Sequence, residues 1–182
     1  MPGNAFIKFT TMTDGKAIKG ESLQDGHAGK DGWTEIAEWN WEITADTSFT
    51  KGTGAAVGKP MPGALTFTHY YDVSSPVFLQ YIVKGTHFKS VQIDMLKQVG
   101  DKDGKPAVFF SLVAGSVFIS KVASKGGEDG SVNQDVEMVF KEVQVGYKRQ
   151  DNKGVLDKAP KTFPWNIALA NDTVGPDAKL SM

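Results

Sequence analysis

The chain has 182 residues, 40% of them hydrophobic and 23% charged, with a net charge of −1; this is the make-up of one folded domain with an ordinary apolar core. The near-neutral balance excludes a global basic field for nucleic acid or an anionic membrane, and the lack of cysteine excludes disulfides and thiolate metal sites. No apolar run approaches the ~18 residues of a membrane helix, and the opening Met1-Pro2-Gly3-Asn4-Ala5-Phe6-Ile7-Lys8 lacks the basic-then-apolar layout of a cleaved export signal.

Phe6 to Thr11 reads as a short strand. From Trp33 to Ile43 the residues Trp33, Ala37, Trp39, Trp41 and Ile43 share one parity, while Glu38, Asn40 and Glu42 share the other. That alternation predicts a half-buried strand with tryptophans inward and polar groups outward. The Gly/Thr/Ser/Pro-rich stretch from Thr44 to Gly63 reads as a long loop, longer than a compact domain gives to a simple connection.

Leu65 to Tyr71 reads as the next strand, leading into the one convincing helix. Ser74 is its expected N-cap, Pro76 suits its first turn and Gly85 its far end. Between them Val77 to Val83 is apolar on most sides and calls for burial against a sheet or a second subunit.

Three long strands follow: His87 to Lys97, Ala107 to Val122 and Val132 to Tyr147, with polar turns at 101–105 and 124–130. In the last of them Val136, Met138 and Phe140 are even-numbered but Val143, Val145 and Tyr147 odd, which predicts a β-bulge near Lys141-Glu142. A closing strand spans Thr162 to Leu169 around Trp165, and residues 171–182 read as a loose C-terminal tail behind a single domain of residues 1–170. Seven strands connected mostly as a meander, with one helix, predict a mainly β fold: an antiparallel barrel or two-sheet sandwich.

No segment carries a catalytic or cofactor motif. Gly52-Thr53-Gly54-Ala55-Ala56-Val57-Gly58-Lys59 fails as a phosphate loop, with Thr53 in place of the first glycine and Pro60 in place of the magnesium-binding hydroxyl. Asp101-Lys102-Asp103-Gly104 fails as a calcium loop because Lys105 stands where an oxygen ligand belongs. His27, His69 and His87 lie in three different predicted elements and read as unrelated surface or edge residues. Trp33, Trp39 and Trp41 read as a core stripe rather than a sugar-binding platform. The residues thus predict no enzyme, cofactor or metal; the alternative to a structural role is a monomeric β-sandwich module for a sugar or peptide.

In order along the chain, Phe6-Ile7-Lys8-Phe9, Ile18-Lys19-Gly20-Glu21-Ser22, Ile36-Ala37-Glu38-Trp39-Asn40-Trp41, Leu65-Thr66-Phe67-Thr68 with Tyr70-Tyr71-Asp72 and Ser74-Ser75-Pro76, Val117 to Ser120 with Gly126-Gly127-Glu128-Asp129, Phe140 to Tyr147, and Trp165-Asn166-Ile167 resemble the haemolysin-coregulated protein (Hcp) family. The sequence departs from that pattern at Thr11 to Ala17, which resembles an insertion, at Glu42, and at Asn133-Gln134-Asp135.

The resemblance implies a flattened β-barrel with a flanking helix, similar to phage tail tubes, that assembles as a homohexameric ring. Stacked rings would form the inner tube of a type VI secretion apparatus, capped by a spike protein, driven out by a contracting sheath, and carrying effector proteins in the bore. The chain would be made in the cytoplasm and leave without a signal peptide. With Trp39 and Trp41 inward, Glu38, Asn40 and Glu42 are the expected bore-lining residues. Ser48, Phe49, Thr50, Lys51, Val57 and Lys59 in the long loop are the expected ring or inter-ring contacts.

Overall fold

The structure is a computed structural model that describes residues 4–50, 54–100 and 104–182. Its strands, in chain order, are β1 (Ala5–Thr11), β2 (Leu23–Gln24), β3 (His27–Ala28), β4 (Trp33–Glu35), β5 (Glu38–Asn40), β6 (Ile43–Thr44), β7 (Thr47–Thr50), β8 (Gly54–Val57), β9 (Met61–Pro62) and β10 (Leu65–Tyr70). Helix α1 (Ser75–Lys84) precedes β11 (Phe88–Gln98), β12 (Pro106–Gly126), β13 (Val132–Tyr147) and β14 (Lys161–Asn166).

One antiparallel sheet runs β4-β1-β11-β12-β13-β10-β5, with β14 continuing the β10 side of β13. Its two end strands, β4 and β5, are neighbours in sequence, separated only by Ile36-Ala37. The Ile36 amide donates to Ala5 O at 3.0 Å and the Ala37 amide to Thr68 O at 2.8 Å, so this dipeptide holds β1 on one side and β10 on the other. The sheet is therefore rolled into a sandwich-like fold whose ends are joined by the chain itself, not by a closing ladder.

The core lies between the walls of this roll. Phe9, Phe67, Phe78 and Phe88 are all buried, with ring centroids 4.6 Å apart for Phe9–Phe78 and 4.9 Å for Phe9–Phe88. Phe78 comes from α1, so the helix contributes a ring to the aromatic cluster and caps the roll. Its opposite side does not find the cover its composition predicts: Leu79 is exposed and Val83 is 86% exposed.

The helix start also differs from expectation. Ser74 makes no side-chain capping bond. Asp72 Oδ1 instead accepts from the Ser74 amide at 2.9 Å and fixes the turn ahead of the helix, while Gly85 ends the helix with φ 65° as predicted.

The segment Trp33 to Ile43 is not one strand but three, β4, β5 and β6, each with a different partner: β1, β10 and β9. Its inward residues change parity at the join, since Trp33, Thr34 and Ile36 are buried while Ala37 and Ile43 are exposed. The expected loop from Thr44 to Gly63 is an arm of two stacked hairpin tiers, β6–β9 below and β7–β8 above. The Gly58 amide donates to Asp46 O at 2.6 Å between the tiers; a Cβ at Gly58 would stand 2.3 Å from that oxygen, so only glycine fits.

The facing change in β13 is present, but an extra residue in that strand does not cause it. Core positions step from Phe140 to Val143 in β13, from Val117 to Ala114 in β12 and from Phe88 to Val91 in β11, three residues each instead of two. The ladders keep their register across this level, with Val117 opposite Phe140 and Gly115 opposite Glu142. Ser116 takes a left-handed φ of 53° there. The result is a crease through Lys89, Ser116 and Lys141 that crosses three strands at one height. The register shift between β12 and β13 lies elsewhere, between Ile119 and Lys121.

Residues 171–182, expected as a loose tail, are docked on the sheet. A 3-10 turn at Pro176–Ala178 buries Ala178 against β12. The Gly175 amide donates to the buried Glu142 carboxylate at 2.8 Å, the Leu180 amide to Gln144 Oε1 at 3.0 Å, and Lys89 bridges Asp177 at 3.6 Å.

Candidate functional site

The outward face of β5, β10, β13 and β12 gathers the polar residues that the tryptophan parity pointed to. Trp39 stacks on Phe110 at 5.2 Å and Trp41 lies 5.6 Å from Phe140, both turned to the core. Glu38, Asn40 and Glu42 are consequently exposed on the other side. The ladders extend them into rows: Glu38 beside Thr68 and Asp135, and Asn40 beside Thr66, Glu137 and Lys121.

Within the rows, Thr68 Oγ1 donates to Asp135 Oδ1 at 2.6 Å and Lys121 Nζ to Glu137 Oε1 at 3.2 Å. Four carboxylates (Glu38, Glu42, Asp135, Glu137) share this face with two amines, Lys121 and Lys125, which makes the surface acidic. Sequence reasoning found the first three residues and missed Thr66, Thr68, Asp135, Glu137 and Lys121. Their parity in β10 and β13 was readable, but their alignment with β5 depends on a long-range register.

The arm rises from the end of this surface. Among its expected contact residues, Ser48 and Lys59 are exposed. The backbones of Phe49 and Thr50 in β7 pair with Ala55 and Gly54, and Val57 in β8 pairs with Thr47. Lys51 lies outside the described residues, as do Asp101, Lys102 and Asp103. At the arm's base Ile43 and Pro60 border Phe163 and Trp165 of β14 in an apolar recess of about 320 Å³.

Two of the three histidines are interior, contrary to the surface reading. His27 Nε2 lies 2.9 Å from Asp94 Oδ2, and Ser111 Oγ donates to Asp94 Oδ1 at 2.6 Å. The carboxylate stands between the other two, so the serine hydroxyl is not on the imidazole. A nucleophilic relay needs the base in the middle. All three are buried, and the cluster pins the β2–β3 hairpin to β11 and β12.

His69 is fully buried and shares a hydrogen bond with Gln134 Oε1 at 3.0 Å. Burial pushes its pKa below the usual histidine value; the Gln134 bond and the nearby Asp72 and Asp135 oppose this only in part. The two interior histidines therefore serve separate structural clusters. His87 is partly exposed and stacks on Phe118 at 4.8 Å.

An open cleft of about 570 Å³ lies where the sheet ends meet. Two of its three acidic side chains are engaged in structural bonds: Asp72 Oδ1 accepts from the Ser74 amide at 2.9 Å and Glu21 Oε1 from the Val73 amide at 3.1 Å. The fold and surfaces thus define a mainly β, sandwich-like protein with one flanking helix, whose distinctive chemistry lies on an acidic face and a projecting arm.

The chain belongs to the Hcp family: residues 6–147 match the family described as "Type VI secretion system effector, Hcp". It is 29% identical over 152 residues to protein hcp1 of Pseudomonas aeruginosa, spanning 82% of this chain and 90% of that protein. A solved structure titled as a type six secretion system protein superposes with a TM-score of 0.79 at 24% identity, covering 92% of this chain and 97% of the other. Hcp1 from Salmonella typhimurium gives 0.67 at 22% identity, covering 93% and 99%. At those identities the two structures speak for the fold.

Proposed function

We propose that the chain is the tube subunit of a type VI secretion apparatus, closing into a homohexameric ring whose copies stack into a tube. Sheath contraction ejects this tube, under a spike protein, with effector proteins in its bore. Glu38, Asn40 and Glu42 line the bore, and the arm carrying Ser48, Phe49, Thr50, Lys51, Val57 and Lys59 grips a neighbouring copy or ring. The protein is made in the cytoplasm and leaves it without a signal peptide; among the described residues no helix is long and apolar enough to cross a membrane.

The observation that carries this reading is the joining of family membership to a surface layout suited to repeated self-contact. An arm anchored at its base presents two hairpin tiers outward, and an acidic face stands apart from it. A heterologous contact that closes by rotation gives a ring. Charged and hydroxylated walls keep a bore wet, so cargo could slide along it.

Size-exclusion with light scattering and negative-stain imaging test the assembly: a species of six 19.7 kDa chains with ring projections is expected, and a monomer at high concentration would remove the reading. Asn40→Arg tests the bore. Rings should form as before while effector retention falls; unchanged retention would take Asn40 out of the cargo surface.

A further inference from the structure

The segment beyond residue 170 lies in a seat of its own. After the 3-10 turn at Pro176–Ala178, Ala178 is buried and Leu180 and Met182 half-buried against the sheet, while Lys179 and Ser181 are exposed. The floor beneath them is glycine. A Cβ at Gly115 in β12 would stand 3.3 Å from the Ala178 Cβ, and one at Gly146 in β13 would stand 2.7 Å from Leu180 Cδ1 and 2.8 Å from Met182 Sδ. The seat therefore takes a backbone with apolar side chains at every second position, and takes it close.

Past Asn171 the segment pairs with no strand among the described residues. Side chains hold it instead: Glu142 accepts from the Gly175 amide, Gln144 accepts from the Leu180 amide, Asn166 Nδ2 donates to Thr173 O, and Lys89 pairs with Asp177. These groups lie in β11, β13 and β14, so the seat is complete without the residues that lead the chain into it.

Those leading residues are strained. Ile167 to Ala170 form a turn closed by two backbone bonds, the Asn166 amide to Asn171 O at 2.8 Å and the Asn171 amide to Asn166 O at 3.3 Å. Ala170 is exposed and takes a left-handed φ of 53°, a conformation its Cβ disfavours.

We propose that the glycine-floored seat is a docking site for the same segment of a second copy. The turn at 167–170 opens, and residues 171–182 cross from one subunit into the seat of its neighbour. This exchange rests on the ring reading only for the closeness of that neighbour. Crossing preserves the contacts of the seat, because every copy carries the same donors and acceptors, and it releases the strain at Ala170. Residues 171–182 extend to roughly 40 Å, more than the width of a small domain. Neighbours held in one assembly meet at about millimolar effective concentration, so exchange needs no contact beyond those of the seat.

The Lys89–Asp177 ion pair reports the exchange. Equal amounts of isotopically light and heavy full chain are mixed in urea, returned to buffer and treated with a water-soluble carbodiimide. The reagent condenses the Asp177 carboxyl with the Lys89 amine to an amide, and both side chains are partly exposed. Mass spectrometry of the digest then reads the share of Lys89–Asp177 pairs that combine light with heavy. In an exchanged assembly the mixed pairs should equal the two unmixed kinds together. Ala170→Gly removes the strain and should lower the exchange equilibrium constant about tenfold. Ala170→Pro forbids the left-handed φ and should hold the mixed share at its maximum.

Unmixed pairs alone, in rings verified by light scattering, overturn the exchange and leave the ring. Mixed pairs that do not respond to residue 170 signify a plain contact between neighbours and overturn it too. Mixed pairs that do respond, in a dimer without rings, support the exchange and overturn the ring reading. A chain that stays monomeric with unmixed pairs overturns both.

Discussion

The Gly175 amide is bonded to the buried carboxylate of Glu142, 33 residues away in sequence, at 2.8 Å, and Asn166 Nδ2 donates to the same Oε2 oxygen at 3.3 Å. The segment beyond residue 170 is thereby stitched to the crease level of β13. The glycines on both sides leave room for the carboxylate: a Cβ at Gly115 would stand 2.9 Å from Glu142 Oε1, and one at Gly175 3.0 Å from it.

Removal of this anchor should free the segment without unfolding the sheet. Glu142→Ala leaves the half-buried Gly175 amide without its acceptor and Asn166 Nδ2 with Thr173 O alone, at a cost of about 1–3 kcal/mol. Hydrogen exchange should show Gly175 and Ala178 amides losing protection while Leu112 and Met138 keep theirs. Equal loss at all four sites would mean the anchor supports the whole core.

Acidification should weaken the fold through His69. The unfolded imidazole takes up a proton near pH 6.5, while burial lowers the pKa of the folded one. The unfolded state therefore binds more protons in that window, and stability rises with pH. The contribution is fully present above pH 6.5 and is lost as pH falls from there through the lowered folded value. Urea melts at pH 8 and pH 5 should show a smaller stability difference for His69→Gln than for the unaltered chain. An identical difference would show that His69 is not the sensing group.

Ser116 pays for its left-handed backbone, φ 53°, with steric strain of about 1–2 kcal/mol. Ser116→Gly should be neutral or mildly stabilising, whereas Ser116→Val should lose more than about 1 kcal/mol in chemical denaturation. If both variants melt alike, the crease does not need that conformation.

How much of this was legible follows from how local each signal is. The strands Ala5–Thr11, Leu65–Tyr70 and the three long ones show in the sequence because a buried face repeats every second residue. His69 was readable in principle: Leu65, Phe67 and His69 share one inward parity, as do Gln134, Val136 and Met138 opposite them. Its pairing with Gln134, at one of the departures from the family pattern, is a matter of register that the sequence does not display.

The division of Trp33 to Ile43 stayed hidden for a different reason. An alternating pattern reports a pleat but not a partner, and here three partners share one alternation. The arm's short strands, rich in Gly, Thr and Ala, carry no alternating apolar pattern, so its hairpins leave no periodic mark in the sequence. The docked segment depends on Glu142, Gln144 and Asn166, contacts 7 to 36 residues distant that composition alone renders as polar. Of the candidate site, Glu38, Asn40 and Glu42 were found by parity, while their acidic and hydroxyl neighbours required the fold.

The dipeptide Ile36-Ala37 has a consequence for how the molecule comes apart. An open sheet frays from its outer strands inward, each strand leaving alone. Here the first and last strands are successive words of one short phrase, so neither can peel away without pulling on the other. Along that order there is no loose end strand from which fraying can begin, β14 being a free edge beside it, and the amides of Glu35 and Trp39 should exchange with solvent in a single concerted event, at nearly the same free energy, although they sit at opposite ends of the hydrogen-bonded order.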